Sequence, residues 1–155
     1  GRSAKEGLVF PYIHPGSKLG VLLEINCETD FVANTDDFRD LCKDISMHIA
    51  ASAPLAVTRE EIPSDILDRE KAIYVDQARQ SGKPEKIIEK MTEGRINKFY
   101  QENVLLEQTF VKDPDKTVSD LITGTVAKLG ENIIVSRFSR FQLGEKSNNS
   151  VPAEN

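Results

Sequence analysis

The sequence predicts an α+β fold: a small antiparallel β-sheet of about three strands, covered by helices, with an inserted αα-hairpin. Three observations predict it. Residues 19–28 alternate: Val21, Leu23, Ile25 and Cys27 share one face, and Leu22, Glu24, Asn26 and Glu28 share the other. Phe38, Leu41, Cys42, Ile45 and Ile49 recur at steps of three and four, which draws one apolar stripe on a helix. Two further helical stretches are joined only by Ser81-Gly82-Lys83-Pro84, a link short enough to fold them back as an antiparallel pair.

Each element follows from local signals. Residues 8–13 read as a first strand, and Pro15-Gly16 supplies a fixed φ followed by a residue tolerant of positive φ, so strands one and two form a hairpin. Glu24 and Glu28 then lie on the polar face of what reads as an edge strand. Thr35 is an N-cap for the striped helix, with Asp36 and Asp37 in its first turn. His48 borders the stripe and reads as a core-edge histidine. Residues 51–62 form a connector containing Pro54. Pro63-Ser64-Asp65 starts a helix that runs to Gln80, Gly82 ends it, and Pro84 starts the next. That helix carries Ile87, Ile88, Met91, Ile96, Phe99 and Tyr100, with Gly94 in its middle, and its Met91/Phe99 stripe reads as plain core packing. Residues 105–111 suggest a short extended segment. Thr117 caps a last helix bearing Val118, Leu121, Ile122, Val126 and Leu129, ended by Gly130. Residues 133–143 form a closing strand whose phase is inconsistent, since Phe138 has the opposite parity to Ile133, Val135, Phe141 and Leu143. A bulge or burial on both faces would explain it.

With 155 residues the chain is long enough for one compact core. Residues 1–7 read as a linker remnant of something upstream that has been removed, 8–144 as the core domain and 145–155 as a disordered tail. The net charge of −5 argues against direct nucleic-acid binding, which depends on neutralising phosphates. No apolar run is long enough to span a bilayer, so no membrane partner is expected. The two cysteines, Cys27 and Cys42, form no Cys-x-x-Cys and are expected as free thiols in a reducing compartment.

The chemistry-bearing residues are few. Glu24, Glu28 and Asp30 are carboxylates close in sequence, yet the polar face of a strand accounts for the first two. Arg137 and Arg140 would suit a phosphate, but such a pair reads more readily as exposed strand arginines. No nucleophile–base pair, P-loop, dinucleotide fingerprint or zinc spacing is present, so no enzyme, no metal and no cofactor is expected. One segment stands apart. Thr29-Asp30-Phe31-Val32 joins the second strand to the helix capped at Thr35. Phe31 lies seven residues before Phe38, so in one continuous helix it would join the core stripe. In the plainer reading Thr29 or Asp30 caps a single helical turn and Phe31 folds back. The cap at Thr35 argues instead for a break that frees Phe31 to project.

Asn26-Cys27-Glu28-Thr29-Asp30-Phe31-Val32-Ala33 resembles the signature of the elongation factor Ts family. So do the opening Gly1-Arg2-Ser3-Ala4-Lys5-Glu6-Gly7, the stretches 81–87 and 89–96, the stretch 105–113, and Gly130-Glu131-Asn132-Ile133 with Arg137-Phe138-Ser139-Arg140-Phe141. The likeness covers about residues 1–144. It implies a translation elongation factor and guanine-nucleotide exchange factor that binds elongation factor Tu·GDP and promotes GDP release, with no covalent chemistry. It further implies that Thr29, Asp30, Phe31 and Val32 disturb the partner's Mg²⁺ site, with Phe31 as the wedge. The family's N-terminal helical module carries a Thr-Asp-Val-Gly run that does not occur here, and the single hairpin resembles the family's short form. Engagement of the partner by one chain and by a homodimer both fit that form. The expected location is the bacterial cytoplasm, or the stroma or matrix of an organelle. The alternative is a ribosome-associated or structural interaction module with the same fold and little exchange activity.

Overall fold

The computed structural model describes residues 3–145; the first two residues and the expected tail beyond Glu145 lie outside them. In chain order the elements are β1 (Glu6–Ile13), β2 (Leu19–Cys27), α1 (Asp30–Ala33), α2 (Asp36–Ser52), α3 (Ser64–Gln80), α4 (Glu85–Asn103), β3 (Thr109–Phe110), β4 (Asp113–Thr117), α5 (Val118–Leu129) and β5 (Ile134–Gln142). Short 3₁₀ turns occupy Arg59–Glu61 and Leu105–Glu107. The fold is α+β, as expected, and divides into two compact units. One comprises the residues up to Ala51 with those from Glu131 on; the other is Ser52–Gly130.

The first unit is built on a three-stranded antiparallel sheet in the order β1-β2-β5. The edge assignment of the second strand is therefore corrected: β2 is central, flanked on both sides, and β1 and β5 are the edges. Alternation along a strand reports which face is buried but not how many neighbours pair with it. Val21, Leu23, Ile25 and Cys27 are buried, and so are Phe38, Leu41, Cys42, Ile45 and Ile49 on α2. Together these two apolar faces supply the core of the unit. His48 is fully buried rather than at the core edge. β1 starts two residues earlier than expected, at Glu6. Gly7 pairs with Asn26 at φ 136°, and a Cβ there would stand 2.1 Å from the Ile25 carbonyl oxygen, so only glycine fits.

The inconsistent phase of the last strand is resolved by a bulge. Glu24 pairs with Arg137 but Ile25 with Val135, which leaves Ser136 as the extra residue on β5. The shift puts Val135 opposite Ile25 and Phe138 opposite Leu23, on the inner face, while Phe141 is left 76% exposed. Ser136 bonds through its hydroxyl to the Asn26 side-chain oxygen. Arg140, opposite Val21, is also on the inner face and is not a solvated arginine. Its Nε and Nη2 donate to the Ala50 carbonyl at 3.2 and 3.0 Å, which satisfies one of the carbonyls left without a helical partner at the end of α2. Arg137 faces the other way and meets Glu24 at 2.8 Å. The two arginines therefore do not converge.

In the second unit α3 and α4 form the expected antiparallel hairpin, turned at Gly82 with φ 72°. Tyr74, Ile96, Phe99, Val104, Ala56 and Ile62 make its core. Arg95 lies over the Tyr74 ring at 4.3 Å and bonds to Gln77, so the α4 arginine ties the two helices together. The connector is more ordered than its composition suggests. Ala56 bridges to Val104, and the Leu55 amide donates to the Asn103 carbonyl at 2.8 Å. α5 begins with a capping box, Thr117 and Asp120 each accepting the other's backbone N–H, and ends at Gly130 with φ 74°.

Cys27 and Cys42 are both free and buried. Burial pushes the Cys42 thiol up to about 12 from its ordinary 9.0. Neither thiol should react with an aromatic disulfide reagent at pH 8 until the protein unfolds. The folded state holds the Cys42 proton longer than the unfolded chain. Stability should therefore decline as pH rises from about 9 toward 12. Urea midpoints across that range check the sign, and rapid labelling of native protein would contradict the burial.

Candidate functional site

The candidate site is the turn between β2 and α2. β2 leaves the sheet at Cys27, and two residues later α1 is capped by Thr29, in extended conformation at φ −130°. The Thr29 Oγ1 accepts the Val32 N–H at 3.2 Å. The Cys27 thiol donates to the Thr29 carbonyl at 3.2 Å. Burial foremost, then the nearby Glu131 carboxylate, push that thiol's pKa up.

α1 lasts one turn. Thr35 ends it and starts α2: its hydroxyl donates to the Val32 carbonyl at 2.7 Å and accepts the Phe38 N–H at 3.2 Å. The Asn34 side-chain amide donates to the Asp30 carbonyl at 2.9 Å, a further stop. The plainer reading is right about the cap at Thr29 but not about Phe31, which does not fold back. Thr29 caps a single helical turn, and the break at Thr35 keeps Phe31 off the stripe.

The consequence is a sharp division of exposure within four residues. Phe31 is 83% exposed, and Thr29 and Asp30 beside it are exposed too. Val32 is 6% exposed and Ala33 is fully buried, so these two anchor the turn in the core. Of the four expected site residues, three therefore reach the surface and the fourth holds them there.

The turn is pinned by a residue visible in the sequence only as part of a strand motif. Glu131 follows α5, and its Oε1 accepts the backbone N–H of Glu28 at 3.1 Å and of Thr29 at 3.0 Å. Its Oε2 accepts the Thr29 hydroxyl at 2.7 Å. In return Glu28 Oε2 accepts the Asn132 N–H at 2.6 Å. Glu28 is thus a structural acceptor. Glu24 is engaged with Arg137 across the sheet. Among the described residues no group of three or more His, Cys, Asp or Glu side chains could hold a metal, and no helix is long and apolar enough to cross a membrane.

Comparison with known proteins gives this turn a context. The family model for elongation factor Ts matches residues 2–145. The chain belongs to the elongation factor Ts family. Among curated relatives, the elongation factor Ts of Geobacter sulfurreducens is 60% identical over 145 residues, which make up 94% of this chain and 67% of that protein. Those of Fervidobacterium nodosum and Moorella thermoacetica are each 57% identical, with 74% and 71% of their lengths covered. The family is one of translation elongation factors.

The double role of Thr35 generates a prediction. Thr35→Ala removes the cap of α2 and the stop of α1 together, and should lower stability by about 1 kcal/mol. A urea titration with unchanged slope reads it. A midpoint equal to that of the unsubstituted chain would show that Asn34 alone enforces the break.

Proposed function

We propose that this chain is a guanine-nucleotide exchange factor that binds elongation factor Tu in its GDP form and promotes release of GDP, so that GTP can enter. The observation that carries the reading is Phe31: a phenylalanine 83% exposed, on a capped turn whose next residue is buried, in a member of the elongation factor Ts family. A large apolar side chain held out in water contributes little to the fold, and its free energy becomes available when a partner covers it.

In this reading Thr29, Asp30, Phe31 and Val32 approach the partner's nucleotide-bound Mg²⁺. That ion offsets the charge of the phosphates. Phe31 displaces the groups around the ion and weakens nucleotide binding without touching the nucleotide. Asp30, exposed beside it, brings a negative charge toward the same phosphates. Val32 acts from within the fold as the anchor. No bond is made or broken. The coupling is reciprocal: if the factor loosens GDP by some ratio, GDP loosens the factor by the same ratio. The site of action is the bacterial cytoplasm or an organelle's stroma or matrix, where such a partner works, and the partner is engaged by one chain or by a homodimer.

Phe31→Ala should slow GDP release at fixed concentration of the factor while leaving the melting temperature unchanged. Burial of one phenylalanine yields about 1.5–3 kcal/mol, a factor of roughly ten to a hundred. Stopped-flow release of labelled GDP from elongation factor Tu measures it. A chain that accelerates release no more than buffer does would favour the interaction-module reading. A Phe31→Ala variant that melts early yet exchanges normally per folded molecule would return Phe31 to a structural role.

A further inference from the structure

We infer that Glu131 is the positioning residue of the Thr29–Val32 turn: its carboxylate orients the Thr29 cap and so holds Phe31 in the presentation that engages the partner. The inference rests on the exchange reading of that turn and adds to it a residue from a distant part of the chain.

The geometry has the form of a relay. The amides of Glu28 and Thr29 come directly after the end of β2 at Cys27, and one oxygen of Glu131 accepts both, at 3.1 and 3.0 Å. The other oxygen accepts a hydrogen bond from the Thr29 hydroxyl at 2.7 Å. A hydroxyl has one proton to give and two lone pairs. With its proton committed to Glu131, Thr29 can only accept from Val32, and it does so at 3.2 Å. Glu131 therefore orients the cap of α1, the cap sets the start of the helical turn, and the turn aims Phe31. The Glu28 carboxylate closes the arrangement on the Asn132 N–H at 2.6 Å.

A turn of exposed residues without such a clamp would sample many conformers, and the partner would have to order it on binding. Bonds to an ionised carboxylate are stronger than neutral ones, so three on one side chain make a firm restraint. Glu131 does this from the first unit's own framework and needs no contact with the partner.

The test is a double-mutant cycle on the full chain, with GDP release from elongation factor Tu·GDP as readout. Glu131→Gln keeps the shape but removes the charge and puts an amide donor against the Thr29 hydroxyl, whose proton is then no longer committed and no longer orients the cap. It should slow release about tenfold at sub-saturating factor, and should add less than about twofold in a Phe31→Ala background, because its effect passes through Phe31. Hydrogen exchange at the Glu28, Thr29 and Val32 amides of the free variant should quicken about tenfold, with the rest of the sheet unchanged. If Glu131→Gln does not fold, Glu131→Asp enters the same cycle, keeping the charge but withdrawing it by one methylene. Release at the unsubstituted rate, or an equal slowing in both backgrounds, would overturn the positioning role. Normal release by Phe31→Ala alone would instead overturn the exchange reading on which it rests.

Discussion

The structure turns on how the backbone leaves a buried central strand. β2 is paired on both sides near its end at Cys27, and within nine residues the chain must start a helix whose inner face is also buried. The first amides beyond the ladder, part-buried at Glu28 and exposed at Thr29, no longer have strand partners to fix their direction. The acceptor is the carboxylate of Glu131, which closes a loop of more than a hundred residues onto the end of β2. The geometry of the next ten residues depends on that handover. Thr29 is set to cap α1, α1 buries Val32 and Ala33, and Thr35 resets the helical phase so that α2 can lay Phe38 through Ile49 into the core.

The exposure of Phe31 is a product of this phase reset. Had α1 and α2 been one helix, Phe31 would share the stripe of Phe38 and be lost to the interior. Splitting one helix into two adds one further C-terminus and one further N-terminus, and polar groups there are met by side chains of the turn itself or by Asn34. In the proposed exchange reading, the gain from turning this phenylalanine outward lies with the partner that covers the ring. Membership of the elongation factor Ts family makes the GTPase that delivers aminoacyl-tRNA the natural candidate, and an exchange factor needs no more chemistry than a well-held apolar contact and the strain it imposes.

Much of this was legible in the sequence because its signals are local. The Pro15-Gly16 hairpin, the α2 stripe, the return at Gly82 and the Thr117 cap each depend on residues a few positions apart. The parts that were not legible depend on distant partners. Strand alternation cannot say that β2 has β5 on its far side. Arg140 reads as solvated until its phase is known, and the phase is set by the bulge at Ser136. Gly7 reads as linker composition, although its hydrogen at Cα is required by the Ile25 carbonyl across the sheet. β4, running Asp-Pro-Asp-Lys-Thr, has no apolar alternation to announce it. Glu131 carried no sign of its role, since its three bonds span 102 and 103 positions. The turn itself was visible through Thr35 and through its resemblance to a family motif, whereas the residue that holds it was not.

If the ring of Phe31 is the point of contact with the GTPase, a photoreactive group in its place must report that contact. A benzophenone amino acid at position 31, irradiated in the presence of elongation factor Tu·GDP, should join the two proteins. The linked residues should lie around the partner's Mg²⁺ and nucleotide phosphates, and the yield should fall as GDP is added. A cross-link that maps far from the nucleotide, or a stable complex that forms without any product from position 31, would contradict the wedge role of Phe31.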